Sequence, residues 1–424
     1  MNILITNVYT HSNKGDAAIV CALIYEIDRA FGKSGNSTLI HTADPTNDIG
    51  KYNVEVRANL LYIILTKAKE KGSFFGTLHI IFNLFFLTLF LIAHKFTKIN
   101  LSRLASRDLK DYLSGCLNAD ISIACGGGYL RSRSSSPTDT LILLVTCLEF
   151  LVPKMLNKKT YLYSQSIGPI HGRTQKLILK YSLKKVDLIL SREEISTVFI
   201  RDLDVGTECI QVADPVFSLF GSDLVRGKGN DVKNSTMRVG ITVRDWFDDV
   251  ELYRKYLKSV AKTIDFLSEN YSATIYYVPQ VIASNFGDDD RRSAELLRQY
   301  IKSKDSLVII DEDLEVSQII EVCGSMDYFI GTRMHSNIFA LISGVPTIAI
   351  EYEPKTRGIM RSLDLEKWVV PINDLTDGKD LLNEYLEKLI VSETQYRSNL
   401  KSVLPKIKKK SQSAIDEIKK SINA

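Results

Sequence analysis

Few cysteines, almost no net charge and no internal repeat mark this sequence, and each deficit removes a class of function. The six cysteines (Cys21, Cys116, Cys125, Cys147, Cys209 and Cys323) are scattered over 424 residues without paired or metal-ligand spacing. That excludes a disulfide scaffold and a cysteine-bound metal, and it points to reduced thiols in a cytosolic protein. A formal net charge of +4 is too small to ask for nucleic acid as a partner. No repeat of solenoid period is present. The N-terminal residues Met1 to Asn7 run straight into a strand without the basic, apolar and cleavage-site series of a secretory signal, so a cytoplasmic location is expected.

One local absence matters more. From Gly72 to His94 there is no Asp, Glu, Lys or Arg, and the interior from Leu78 to Ile92 is apolar on all sides of a helix. Its length would cross a bilayer. A single crossing, however, would separate the first strand from its sheet partners, and no second apolar stretch brings the chain back, since Leu141 to Val152 is too short and contains Glu149. The remaining options are an interfacial helix, a re-entrant hairpin, or a helix buried in the core or in a dimer. Lys67, Lys69 and Lys71 before the segment, and Lys95 and Lys98 after it, suit an anionic lipid surface.

What is present reads as α/β. With 45% hydrophobic and 25% charged residues, the chain has material for two domains and two cores. Strand Asn2 to Thr6 is followed by a polar loop and a helix from about Ala17 to Phe31. After the apolar insert come strand Asp120 to Ala124, the turn Gly126-Gly127-Gly128 and a helix through Leu141 to Leu151. Strand Thr160 to Tyr163 leads into Ser164-Gln165-Ser166, and strand Val186 to Leu190 into Ser191-Arg192-Glu193-Glu194. Ser191 with Glu194 has the form of a capping box, which would put Arg192 in the first helical turn. Alternating strands and helices predict a doubly wound sheet.

A polar stretch from about Ser218 to Met237, containing Gly221, Gly227, Gly229, Asn230, Asp231, Asn234 and Ser235, reads as a linker. A second α/β series then begins at Arg238. The boundaries expected are 1–220 for an N-terminal domain carrying the insert at about 72–96, 236–400 for a C-terminal domain, and 401–424 for a basic helix.

The most informative local pattern is Phe329-Ile330-Gly331-Thr332-Arg333-Met334-His335-Ser336. Met326 to Ile330 reads as a strand, Asn337 to Ser343 as a helix and Val345 to Ile350 as the next strand, a βαβ unit. The helix N-terminus there would point free N–H groups out of the strand's carboxyl end, where anions bind. Arg333 would grip phosphate or carboxylate through its planar fork, and His335 could move a proton near neutral pH. The plainer alternative is a histidine capping its own helix beside a surface arginine.

Other polar residues also follow strands: Asn13, Gly15 and Asp16; Gln165 and Ser166; Arg192; Arg244; Gln280; Lys355. In two facing α/β domains these ends would open on one cleft, where Arg192, Arg244, Arg333 and Lys355 ask for a small, highly anionic ligand. Gly126 to Gly128 lack the spacing of a dinucleotide fingerprint and serve equally as a tight turn. Asp16 could be only a helix cap. Asp288-Asp289-Asp290 reads as a solvated helix start, Lys406 and Lys408 to Lys410 as a solvated face, and Cys125 as packing, since no His or Asp partner is evident in the sequence.

Taken together, Asn13-Lys14-Gly15-Asp16, Gly126-Gly127-Gly128, Ser164-Gln165-Ser166-Ile167-Gly168-Pro169, Ser191-Arg192-Glu193, Ala213-Asp214-Pro215, the Gly331 to Ser336 stretch and Lys355 resemble the polysaccharide pyruvyl transferase family, in the family's order and over about Asn2 to Lys355. The resemblance implies two Rossmann-like domains facing across a cleft, glycosyltransferase-B-like, with the apolar helical insert as an addition in the N-terminal domain. It implies transfer of pyruvate from phosphoenolpyruvate to a sugar as a ketal. By the same resemblance, Arg333 and His335 match the essential Arg-x-His, Lys355 the downstream lysine, and either Arg192 or Arg244 the donor-binding arginine. Thr332, Ser336 and Gln280 join the expected donor side. Asn13, Gly126, Gly127, Gly128 and Gln165 form the expected acceptor side, with Asp16 orienting or deprotonating an acceptor hydroxyl.

No metal or resident cofactor is expected. The expected partners are phosphoenolpyruvate, a glycan acceptor that is polyprenyl-linked, and the inner membrane face, with no nucleic acid. Two other readings stand beside it. One is a sugar-nucleotide glycosyltransferase of the same fold, in which Glu353 holds a ribose; the other is an inactive glycan-binding or scaffolding relative.

Overall fold

The computed structural model describes residues 1–225, 236–283 and 288–423. Most of the expected linker (226–235), together with Asn285 and Gly287 beside the acidic run, lies outside the described residues. Contacts divide the chain into two units: Met1–His11, Ile19–Pro215 and Gln412–Ala424 form the first, and Ser12–Ala18 with Val216–Ser411 the second. The loop and first helical turn that carry Asn13 to Asp16 thus group with the C-terminal half. The expected separate tail from 401 is the end of a longer helix, Glu393–Asn423, whose residues from Gln412 group with the first unit.

The first unit contains β1 (Asn2–Val8), β2 (Ser37–Thr42), β3 (Glu55–Ala58), β4 (Ile121–Ala124), β5 (Gly127–Leu130), β6 (Lys159–Ile167), β7 (Leu188–Ser191) and β8 (Cys209–Gln211). They form one parallel sheet in the order β3-β2-β1-β4-β6-β7-β8, with β5 also on β6. Central strands β1, β4 and β6 are buried almost throughout. A parallel sheet covered on both faces buries its central strands in this way.

The second unit contains β9 (Arg238–Thr242), β10 (Thr274–Tyr277), a short hairpin of β11 (Ile282–Ala283) with β12 (Asp288–Asp289), then β13 (Leu307–Ile309), β14 (Tyr328–Gly331), β15 (Thr347–Glu351) and β16 (Val369–Pro371). Its parallel sheet runs β13-β10-β9-β14-β15-β16. Hairpin aside, this is the order 3-2-1-4-5-6 of a dinucleotide-type doubly wound sheet. Its direction of winding reverses between β9 and β14, which opens a crevice at their carboxyl ends.

The apolar segment forms one helix, Ser73–Thr97. Phe86, Leu87, Phe90 and Leu91 pack into a core with Leu60, Ile63, Tyr112 and Val152. The opposite stripe, Phe74, Leu78, Ile81, Phe85, Leu89 and Ile92, is exposed. The helix is apolar all round, as its sequence says, but among the described residues only one side is packed. An apolar face of this extent on a protein surface marks an interaction site.

Behind this helix Glu149 is fully buried, accepting N–H groups of Leu60 and, at 3.2 Å, Leu61. Burial pushes its carboxyl up from the ordinary 4.5 to about 8. The folded chain therefore holds this proton more tightly than the unfolded one. The stability it contributes is complete below pH 4.5 and is lost as pH rises through about 8. Glu149→Gln keeps an acceptor for both amides without a charge, so its melting temperature should exceed wild type by roughly 2–5 °C near pH 8.5 and converge with it near pH 5. A constant difference across that range contradicts this account.

Candidate functional site

The β14 turn sits at the crevice where the second sheet reverses. Thr242, the last residue of β9, fixes it: its Oγ1 accepts the N–H groups of Thr332 (3.0 Å) and Arg333 (3.3 Å) and bonds Ser336 Oγ at 3.0 Å. Ser336 Oγ also donates to the Arg333 carbonyl at 2.6 Å, and Thr332 Oγ1 shares a 2.6 Å hydrogen bond with Tyr256 Oη. Burial raises the Tyr256 phenol above its ordinary range, so it remains neutral. Thr332 and Ser336, expected to touch the donor, are fully buried with their hydroxyls spent inside the turn. They shape the loop.

Arg333 is the N-cap residue of the helix Met334–Ile342, which places His335 in the first turn. The Arg333 side chain is only 10% exposed and pairs with Asp290, through Nε at 3.2 Å and through Nη2. Asp290 is 3% exposed. This corrects the expectation that the acidic run is a solvated helix start: the helix does begin at Asp290, capped by Asp289, but Asp290 points inward. Its other oxygen accepts the N–H groups of Gln280 (2.9 Å) and Val281 (3.1 Å). Gln280 is 2% exposed, its side-chain amide donating to the Val278 carbonyl at 3.2 Å.

Residues 12–16 dock on that same segment. Ile282 N–H donates to the Ser12 carbonyl, Asn13 bridges Val281, and Lys14 N–H donates to the Gln280 carbonyl at 2.8 Å. The helix begins earlier than expected, at Lys14, and Asn13 caps it: its Oδ1 accepts Gly15 N–H at 3.2 Å and its Nδ2 donates to Asp16 Oδ2 at 2.8 Å. Lys14 is fully buried and reaches Asp313 at 2.6 Å. Gly15 lies against the imidazole; a Cβ there would fall 2.2 Å from His335 Nδ1. Gly15→Ala must therefore displace the ring. If the imidazole is a reacting group, a 1 Å misplacement costs about 10²-fold, so turnover should drop by about that factor while the melting temperature changes little. Wild-type turnover in this variant would show that the imidazole position is immaterial.

Arg244 follows β9 and Lys355 follows β15, the two neighbours of β14. The Arg244 guanidinium lies 4.7 Å over the Tyr352 ring and 5.6 Å from that of Trp246, and donates to Tyr352 Oη at 2.5 Å. Among the described residues no carboxylate pairs with it. Lys355 pairs with Glu353 at 2.5 Å. Three of the four predicted cations thus belong to adjacent strand ends of one sheet.

The fourth does not. Arg192 lies in the first unit, 5% exposed, bonded to Ser166 Oγ (2.6 Å), Asp214 (3.0 Å) and Glu193 (3.3 Å). The capping box expected from Ser191 and Glu194 is absent: Ser191 is the last residue of β7, Glu193 is the N-cap, and the helix runs Glu194–Leu203. Likewise Ser164 to Ser166 lie inside β6 rather than after it. Ser164 Oγ donates to the Ala213 carbonyl at 2.8 Å, so three of the sequence patterns form one buried network. Gln165 is fully buried and donates to the Cys125 carbonyl at 2.5 Å and to Tyr129. Gly126 is needed by packing, since a Cβ would meet the carbonyls of Tyr163 and Ser164 at 2.9 Å. Gly128 faces open space, and Gly127 adopts φ 150°, open mainly to glycine.

Sequence reasoning missed Lys14, Thr242, Asp290, Trp246 and Tyr352. Lys14 stands inside the Asn13 to Asp16 pattern and Asp290 inside the acidic run, but neither pattern tells of their burial or partners.

A family model described as "Polysaccharide pyruvyl transferase" matches residues 13–354. The amylovoran biosynthesis protein AmsJ of Erwinia amylovora is 27% identical over 239 residues, 53% of this chain and 56% of AmsJ. The match thus spans little more than half of that relative. Among solved structures, the S. aureus MnaA–UDP complex aligns with TM-score 0.60 at 10% identity, covering 100% of this chain and 97% of that one. The UDP-GlcNAc 2-epimerase of Neisseria meningitidis bound to UDP-GlcNAc aligns with TM-score 0.56 at 10% identity, covering 99% and 100%. At such identities the likeness concerns the fold alone, a glycosyltransferase-B-like pair of Rossmann-type domains.

Proposed function

Since the chain belongs to the polysaccharide pyruvyl transferase family, we propose that it moves pyruvate from phosphoenolpyruvate onto a sugar of an exopolysaccharide, capsule or cell-wall glycan precursor, closing a ketal. The observation that carries this reading is the Arg333–His335 turn at the reversal of the second sheet, flanked by Arg244 and Lys355 on the neighbouring strand ends. Phosphoenolpyruvate presents a phosphate and a carboxylate on adjacent atoms, and these three cations are the clamp.

His335 is the general acid or base. Protonation of the methylene carbon makes it a methyl group and leaves positive charge at C2. A sugar hydroxyl attacks C2 and gives up its proton, the C2–O bond to phosphate breaks, and a second hydroxyl closes the ring and releases its proton. One hydroxyl proton balances the new C–H bond and the other leaves with phosphate. Asp16 orients or deprotonates an acceptor hydroxyl. Arg244 serves better than Arg192 as the third donor contact, because two buried carboxylates already pair with Arg192, whereas Arg244 rests on aromatic faces and meets no carboxylate among the described residues.

The acceptor is lipid-linked, and the protein works from the cytoplasm at the inner membrane face, held there by the exposed stripe of the helix Ser73–Thr97. Seven cations between Lys67 and Arg107 against the single acid Glu70 fit that surface.

The test incubates the protein with phosphoenolpyruvate and a panel of polyprenyl-linked and synthetic glycans, following phosphate release and product mass. Ketal formation with one phosphate per ketal is expected. Consumption of a nucleotide sugar with phosphoenolpyruvate untouched would replace this reading by glycosyl transfer.

A further inference from the structure

One carboxylate joins two parts of the site that the sequence keeps far apart. Asp290 Oδ1 takes the Nε and Nη2 edge of Arg333, while Oδ2 takes the N–H groups of Gln280 and Val281. Those two residues are the ones on which Asn13 and Lys14 dock, and Gly15 beside them abuts His335. Both partners of the ion pair are nearly buried. A buried pair of this kind is strongly destabilised when one partner is lost, so the geometry is held. A guanidinium has two bidentate edges, and binding one of them decides which way the other faces.

We propose that Asp290 is the positioning residue of the donor site: it fixes the Arg333 guanidinium where phosphoenolpyruvate binds, and it sets the loop that places residues 13–16 against His335. This rests on the reading of the protein as a pyruvyl transferase. Asp290 itself touches no substrate. Its carboxylate also limits the positive charge around Arg333, so the site orients its ligand rather than merely attracting anions.

The experiment compares wild type, Asp290→Asn and Asp290→Glu in steady-state kinetics with each substrate varied in turn. Asparagine can keep its carbonyl on the two loop amides while facing the guanidinium with a neutral NH2 group, which separates the two roles. The expected result for Asp290→Asn is a KM for phosphoenolpyruvate raised about 10–100-fold with the acceptor KM unchanged. Asp290→Glu, which keeps the charge one methylene further out, should recover part of the loss. In an Arg333→Ala background, Asp290→Asn should add almost nothing to the phosphoenolpyruvate dissociation constant read by calorimetry, because the residue acts through that arginine.

If Asp290→Asn does not fold, Asp290→Glu and the calorimetry on it decide alone. An unchanged KM for phosphoenolpyruvate in a folded variant, or equal loss with and without Arg333, overturns the proposal. A wild-type protein that releases no phosphate from phosphoenolpyruvate overturns instead the reading on which it rests.

Discussion

His335→Ala is expected to lower the rate of phosphate release from phosphoenolpyruvate by roughly 10²–10⁴-fold, the usual worth of a positioned acid or base. The fold should survive, because His335 occupies the first turn of a helix whose other residues pack without it. If the imidazole acts on the methylene carbon as proposed, the loss should appear in kcat and not in donor binding. Arg333→Ala should behave differently. It removes the proposed clamp on phosphate and carboxylate and leaves Asp290 buried with a single negative charge, so donor affinity and melting temperature should fall together. Steady-state kinetics of both variants beside a melting curve separate these signatures. Wild-type kcat in His335→Ala contradicts the assignment.

The second large effect concerns the helix Ser73–Thr97. Sedimentation with vesicles containing anionic lipid should bring down the wild-type protein, and replacing Phe74, Phe82 and Phe85 by serine should weaken that partition at least about tenfold. These rings are 70%, 59% and 66% exposed. Their removal therefore costs the folded chain little, whereas each would contribute roughly 1.5–3 kcal/mol if buried in lipid. Salt should weaken binding further, because the flanking lysines act over a Debye length. If neutral and anionic vesicles both fail to bind the protein while it dimerises through this face, the partner is a second chain and the membrane is not involved.

Much of this was legible in the sequence, and the exceptions have physical causes. The Arg333–His335 turn could be read because an apolar run, a polar break and a second apolar run report strand, turn and helix locally, and the observed β14 and following helix fall within two or three residues of the reading. The doubly wound pattern followed from alternation alone. Asp290 could not be read: three acids followed by Arg291 and Arg292 look solvated, and its burial depends on Arg333, 43 residues away in the chain. The Ser191–Glu194 cap failed for a related reason. Ser191 pairs with Gln165 on one side and Gln211 on the other, and sheet pairing outweighed a local capping preference. Arg192 looked like a ligand arginine because its neutralising partner Asp214 lies 22 residues on, past another strand.

The measurement that bears most directly on the central claim is calorimetric titration of the wild-type protein and of Arg333→Ala with phosphoenolpyruvate and, separately, with a nucleoside diphosphate. Phosphoenolpyruvate should bind the wild type and lose about 10²-fold or more in affinity in the variant, as expected for removal of a charge-assisted bidentate contact, while the nucleotide binds neither. Tight nucleotide binding to the wild type without any response to phosphoenolpyruvate would contradict it.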